Sequence, residues 1–452
     1  MSGPHVAVVG GGLAGISAAL ACADAGASVT VVEVRPRLGG AVYSFRRDDL
    51  WLDNGQHVFL RCCTAYRSLL ARLGSEPDTI LQPRLEIPVL SPGGEVSWLR
   101  RSRAPAPLHL GAALARYRHL SPRQRAAAAR AALALSRVQP ADPALDRGTF
   151  GEWLAQHGQA PETVAALWDL IALPTLNLRA GEASAALGAF VFQEGLLRHA
   201  DAGDIGWAGA PLSAVHGWPA ERTLQEAGVE VRLGWRAQRV AATRGRLEVE
   251  AANGGGLDAD AVIVAVPHQR VAGLLPDGAI PAPERLAALG TSPIVNLHVV
   301  YDRRVTDLPF AAGVRSPVQY LFDRTPRAGL GDGQYLAVSL SGAVREMGMS
   351  GDELRARYVP AIAELLPRAR GAHVERFVVT REHAATFRAA PGVAALRPGP
   401  RTAVPGLVLA GAWTDTGWPA TMEGAVRSGH AAAREALAGA GERATAAVEV
   451  AG

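Results

Sequence analysis

Gly10-Gly11-Gly12-Leu13-Ala14-Gly15 stands between a short apolar run, residues 6–9, and a stretch of helical composition, residues 13–25. The glycines follow the spacing G-x-G-x-x-G, and in this setting they suit a nucleotide diphosphate. Gly10 permits a tight turn, Gly12 lets phosphates approach the backbone at a helix N-terminus, and Gly15 allows the helix to pack closely on the strand. Glu33 lies 18 residues after Gly15, just past the next apolar run, residues 28–32. A carboxylate there accepts hydrogen bonds from ribose hydroxyls and repels a 2′-phosphate, so the expected ligand is a dinucleotide other than NADP. The chain continues Glu33-Val34-Arg35-Pro36-Arg37-Leu38-Gly39-Gly40. The guanidinium forks of Arg35 and Arg37 suit phosphate, and the paired Gly39 and Gly40 let the backbone pass close to a ligand.

Composition bounds what else these residues can do. The chain has 452 residues, 48% hydrophobic and 19% charged, which allows a sizeable core in two or three folding units and excludes wholesale disorder. The net charge of +4 is too small for a nucleic-acid surface. All 46 basic residues are arginine, which excludes a Schiff-base lysine, a lysine general base and a Walker-type phosphate lysine. Three cysteines, Cys22, Cys62 and Cys63, make no disulfide framework. The adjacent pair reads as two small buried residues on a helix, and the odd count points to a reducing compartment. His57 has no second His or Cys at ligand spacing, so no metal site is expected. No run of about 18 apolar residues is present, so no spanning helix is expected.

The elements that must hold the glycine loop follow from periodicity. Strand, glycine turn, helix and strand over the first 33 residues begin a doubly wound α/β fold. Proline-rich segments after residue 80 give way to helices near 123–138, 150–156 and 160–173. The first of these reads as a solvated surface helix, with contact to an anionic membrane as its alternative. Strands are expected at 229–233, 247–251 and 261–266, a mixed region over 290–390, and strand, loop and helix over 407–437. Residues 1–79, 205–290 and 395–452 are therefore assigned to a discontinuous dinucleotide domain. Residues 80–204 and 291–394 are assigned to an interleaved mixed α+β substrate domain.

The run from Glu33 to Gly40 resembles the E-x-x-x-R-x-G-G segment of the flavin amine oxidase and phytoene desaturase superfamily, with Ala41 where that superfamily usually has arginine. The end of the chain, Leu409-Ala410-Gly411-Ala412-Trp413-Thr414-Asp415 and Met422-Glu423-Gly424-Ala425-Val426-Arg427-Ser428-Gly429, is similar to its A-G-D and E-G-A-x-x-S-G segments. The resemblance implies a Rossmann-like FAD domain. It implies FAD contacts from Gly10, Gly12, Gly15, Glu33, Arg35, Arg37, Gly39, Gly40, Gly55, Gln56, Gly411 and Met422. Val240 is implied as a backbone contact to adenine, and Asp415 is expected to stand in for the acidic residue replaced by Ala412.

A narrower resemblance rests on Asp53-Asn54-Gly55-Gln56-His57-Val58-Phe59-Leu60-Arg61-Cys62-Cys63-Thr64-Ala65-Tyr66, together with the C-terminal segments. It is to the hydroxysqualene dehydroxylases, FAD enzymes of squalene and hopanoid biosynthesis. It implies reduction of an allylic alcohol by hydride from flavin N5, with Asp53 and His57 as candidate proton donors. It also implies an apolar isoprenoid substrate, an external electron donor and an upstream synthase as partners, and a cytoplasmic location with peripheral contact at the inner face of the plasma membrane. A carotenoid-type desaturase remains open. A prenyl-lipid carrier of the Rab dissociation-inhibitor type is disfavoured by the intact glycines and Glu33. An amine oxidase is disfavoured by the missing lysine.

Overall fold

The computed structural model describes residues 3–243 and 246–451. A five-stranded, all-parallel sheet runs in the order Glu230–Leu233, Ser28–Glu33, His5–Val9, Ala261–Val264, Leu407–Leu409. Its three central strands are almost wholly apolar because both faces are covered, as parallel sheets require. Val6, Val8, Val29, Val31 and Ile263 meet the helix Leu13–Asp24 and the C-terminal helix Met422–Ala451 on one face. Ala7, Val9, Val32, Val262 and Val264 point the other way. There they meet Val240, Leu247, Val249 and Leu257 of a three-stranded antiparallel sheet, Ala237–Thr243, Arg246–Ala251 and Gly256–Ala259. This is the α/β dinucleotide fold that the glycine loop implied, with a β-meander covering one face.

A second sheet has seven strands, ordered Val374–Thr386, Ser292–Tyr301, Gln334–Ser341, Tyr320–Asp323, Phe310–Gly313, Glu86–Ser91, Glu95–Arg100. Two segments far apart in sequence thus share one sheet, joined where Phe310–Gly313 runs parallel to Glu86–Ser91. Leu354, Tyr358 and Ile362 of the helix Gly351–Leu365 pack on one side of it. A helical layer around Phe150, Trp168 and Phe192 completes this half of the molecule. The helix expected at 123–138 runs from Pro122 to Leu135, started by a capping box between Ser121 and Gln124. Cys62 and Cys63 lie ahead of the helix Thr64–Leu73 and not on it, because a turn closes there with the Cys63 N–H on the Leu60 carbonyl (2.9 Å). Among the described residues, no helix is long and apolar enough to cross a membrane.

Candidate active site

The glycine loop sits at the C-terminal end of the strand His5–Val9, with the Gly10 N–H on the Val32 carbonyl (2.8 Å). A Cβ on Gly15 would lie 1.9 Å from the Gly10 carbonyl oxygen, so any side chain there would drive the helix off the strand. The helix Leu13–Asp24 has Gly12 at its N-cap, no side-chain cap and no acidic residue in its first turn. Its first N–H groups are therefore available to an anion. Glu33 is buried and accepts from the N–H groups of Gly11 and Arg35 (both 2.7 Å). The segment after Glu33 folds back over the loop: the Gly39 N–H donates to the Gly11 carbonyl (2.9 Å). Gly40 approaches so closely that a Cβ on it would lie 2.7 Å from Gly12 Cα.

Arg35 is exposed and joins this arrangement through its backbone. Arg37 turns inward. Its guanidinium stacks 3.6 Å from the centre of the Tyr43 ring and donates to the Gly40 carbonyl (3.2 Å). Burial holds its pKa below the usual arginine value, opposed by the neighbouring Tyr43, Glu33 and Glu382. Burial, and after it the neighbouring Glu382 carboxylate, hold the Tyr43 phenol above its usual range. Asn54 Nδ2 bridges the Ala41 carbonyl (2.9 Å) and Glu382 Oε1 (3.0 Å). Glu382, on the long strand Val374–Thr386, thus reaches the edge of the dinucleotide loop.

The block 53–57 divides into two kinds of residue. Asp53 is fully engaged: Oδ1 accepts from Ser44 Oγ (2.6 Å) and the Leu212 N–H (3.0 Å), and Oδ2 pairs with buried Arg324 (2.9 Å). A carboxylate held by three donors suits a clamp between segments better than the proton donor expected of it. Beyond it the backbone opens. The Asn54 carbonyl accepts from Asn296 Nδ2 and Thr380 Oγ (3.1 Å each). Asn296 Oδ1 and Gln56 Nε2 are buried and, among the described residues, have no partner. Both amides lie beside Gly55, whose Cβ position is 3.3 Å from Asn296 Nδ2. His57 Nδ1 lies 3.2 Å from the Gly55 carbonyl. Burial lowers its pKa against the opposing pull of that carbonyl and of Asp53 and Glu382, so the imidazole is neutral at pH 7.

The C-terminal segments hold the loop from the other side. Gly411 follows the strand Leu407–Leu409 and donates its N–H to Ser428 Oγ (2.9 Å). Met422 opens the C-terminal helix and packs, half-buried, on its core. Glu423 is buried and accepts from the N–H groups of Ala65 (3.1 Å) and Tyr66 (2.7 Å), so it caps the helix Thr64–Leu73. It also pairs with Arg427 (2.7 Å). Asp415 does not take Ala412's place. It lies exposed in a turn, its carboxylate accepting the Gly417 N–H (3.2 Å), because its own N–H is tied to the Pro398 carbonyl (2.8 Å). Buried Arg397 gathers the carbonyls of Ala412, Trp413 and Thr414, and burial pushes its pKa down to about 10. Val240 is also corrected. It is wholly buried in the core and its N–H is taken by the Leu274 carbonyl (2.7 Å). The segment that adjoins Glu33 is a few residues earlier, where the Trp235 N–H donates to the Glu33 carbonyl (2.9 Å).

The model of the flavin containing amine oxidoreductases matches residues 13–437. The chain belongs to that family. It is 32% identical to a hydroxysqualene dehydroxylase of Rhodopseudomonas palustris, over 96% of this chain and 98% of that one. It is 26% identical to a chloroplastic/chromoplastic zeta-carotene desaturase of Zea mays, over 97% of this chain and 84% of that one. Among solved structures, cyclohexylamine oxidase from Brevibacterium oxydans shares the fold with a TM-score of 0.73 at 19% identity, covering 97% and 99% of the two chains. This oxidoreductase is FAD-dependent, and its residues fit the cofactor. The helix after the glycine loop has an uncapped N-terminus that suits a diphosphate, Glu33 is a buried carboxylate beside it, and two orphaned amide groups flank Gly55. Sequence reasoning missed Arg324, Glu382, Asn296 and Arg397, and quoted Glu423 without a role. Only Glu423 carried a local signal, by standing in a matched segment.

Proposed function

We propose that this enzyme reduces hydroxysqualene to squalene. The observation that carries the reading is the likeness, over nearly the whole chain, to the Rhodopseudomonas palustris protein named for that activity. In the reaction the allylic C–O bond breaks, the hydroxyl takes a proton and leaves as water, and a hydride takes its place on carbon. Reduced FAD, when bound, supplies the hydride and is oxidised by two electrons. The residues of the chain have three tasks. Gly10, Gly12, Gly15, Glu33, Arg37, Gly39, Gly40, Gly55, Gln56, Gly411 and Met422 hold the cofactor, with the backbone of Arg35 contributing. Glu382 with Tyr43 delivers the proton, in place of Asp53, because this pair is half-buried at the loop edge and its carboxylate is not locked in an ion pair. Neutral His57 orients the hydroxyl through Nε2, since its Nδ1–H is held by Gly55. Excluding water matters, because water would recapture an allylic cation.

The discontinuous division, with 1–79, 205–290 and 395–452 around FAD and 80–204 and 291–394 around the substrate, belongs to the same reading. So do an external electron donor, an upstream synthase and a cytoplasmic location. The second reading is a carotenoid desaturase, supported by the likeness to the maize enzyme and running in the oxidative direction. Anaerobic incubation of dithionite-reduced protein with hydroxysqualene in deuterated buffer separates them. Squalene carrying one deuterium, at the former carbinol carbon or its allylic partner, is the expected product. Untouched hydroxysqualene, with double bonds introduced into squalene or phytoene by the oxidised protein, would establish the desaturase instead.

A further inference from the structure

Residues 96–141 contain nine arginines and no Asp or Glu. Their charge exceeds the +4 of the whole chain, so everything outside the segment is net acidic. The segment folds into one side of the molecule: the strand Glu95–Arg100, the short turns around Leu108–Leu110 and Gly111–Ala115, and the helix Pro122–Leu135. Arg125 fastens the last of these to its neighbours through the carbonyls of Ala115 (2.6 Å) and Leu120 (2.9 Å).

The helix is amphipathic in an unusual sense. Ala128, Ala131 and Leu135 are buried against the core. The opposite stripe, Arg123, Ala126, Arg130, Leu133 and Arg137, recurs every three or four residues and is exposed. Leu108 is 66%, Leu133 47% and Trp98 40% exposed in the same segment. Arg103, Arg116, Arg118, Arg123, Arg130 and Arg137 are all exposed, and among the described residues none of them forms an ion pair. Elsewhere on the chain, Arg232, Arg239 and Arg376 each have a carboxylate partner.

We infer that this face docks on an anionic lipid bilayer. Unpaired guanidinium groups suit lipid phosphates, and the leucines and tryptophan set among them suit the boundary between headgroups and acyl chains. A nucleic-acid backbone would use the arginines and give the exposed leucines nothing to contact. A buried residue of the segment also touches the lining of an open cleft. His119 accepts from Arg315 (3.2 Å), and Arg315 lines a cleft where Leu170, Leu173 and Val318 stand beside Asp169, Arg179 and Gln319. A bilayer on this face would lie near that cleft, whose lining is part apolar and part charged. The docking itself does not rest on the proposed dehydroxylase activity.

The test uses flavin-loaded protein and vesicles without substrate, so it is independent of the reaction. The protein should float with vesicles of phosphatidylcholine and phosphatidylglycerol at physiological salt and stay behind with pure phosphatidylcholine. Each arginine near the surface is worth roughly fivefold in binding, so Arg123→Gln/Arg130→Gln/Arg137→Gln should weaken it by about a hundredfold. Leu108→Gln/Leu133→Gln should remove the part of the binding that survives high salt. Arg232→Gln, on an ion-paired arginine elsewhere, should leave it unchanged, and retained flavin in every variant shows that the fold is intact. Absence of flotation, or a triple variant that floats like the wild type, would overturn the inference. Equal binding to a single-stranded DNA oligonucleotide, insensitive to the leucine changes, would overturn it as well.

Discussion

Asp53→Asn separates a structural carboxylate from a proton donor. The Asp53 and Arg324 side chains are 6% and 9% exposed and meet at 2.9 Å. Arg324 also donates to the carbonyls of Ala208 and Ala210, so it cannot leave its site without losing these bonds. Asparagine keeps the size of the side chain and can still accept from Ser44 and Leu212, but it removes the charge facing a buried guanidinium. Breaking one side of a buried pair costs about 3–5 kcal/mol, mostly the penalty of the stranded ion. Asp53→Asn should therefore lower the urea midpoints for flavin release and for the loss of tryptophan fluorescence together. Adding Arg324→Met should recover part of that loss, because no charge is then stranded, and the double variant should cost less than the sum of the singles. Turnover of the protein that remains folded should fall only modestly. If Asp53→Asn leaves stability within about 1 kcal/mol of wild type while turnover drops a hundredfold or more, the clamp is wrong and Asp53 is the acid.

Glu382→Gln should leave flavin content and melting unchanged, because the amide can still accept from Asn54. Turnover should fall by about a hundredfold or more for loss of the general acid, and wild-type rates in that variant would remove Glu382 from the reaction. Glu33→Ala leaves two N–H groups without their acceptor and removes the ribose carboxylate. At about 1.5–3 kcal/mol for a charged hydrogen bond, FAD binding should weaken roughly tenfold to a hundredfold, read by fluorescence titration of the apoprotein. Burial holds His216 and His298 neutral, with pKa values pushed down to about 3. The unfolded chain takes up those protons first, so stability is full above about pH 6.5 and falls as pH drops toward 3, by roughly 2 kcal/mol per histidine at pH 5. A stability profile flat between pH 7 and 5 would contradict this.

The glycine loop, Glu33 and the two strands around it were legible because a βαβ unit is local. Its turn, its helix start and the carboxylate that closes on the turn all fall within 33 residues, and each leaves a residue-type signature. The parallel sheet was legible for a related reason, since burial on both faces makes its strands nearly uniform in polarity. Val240 misled because an apolar residue on an alternating strand looks the same whether its backbone meets a ligand or, as here, the Leu274 carbonyl.

What the sequence determined by itself was the dinucleotide fold, the flavin class and the absence of any lysine chemistry. The tertiary structure decided which carboxylates are free to act. Asp53 stands in a matched motif, yet Arg324, 271 residues away, locks it. Glu382 stands in no motif, yet the strand that carries it forms the edge of the second sheet and brings it against Asn54, 328 residues earlier in the chain. Whether a carboxylate holds or transfers a proton depends on the donors around it, and those donors come from segments that only the packing of two sheets brings together.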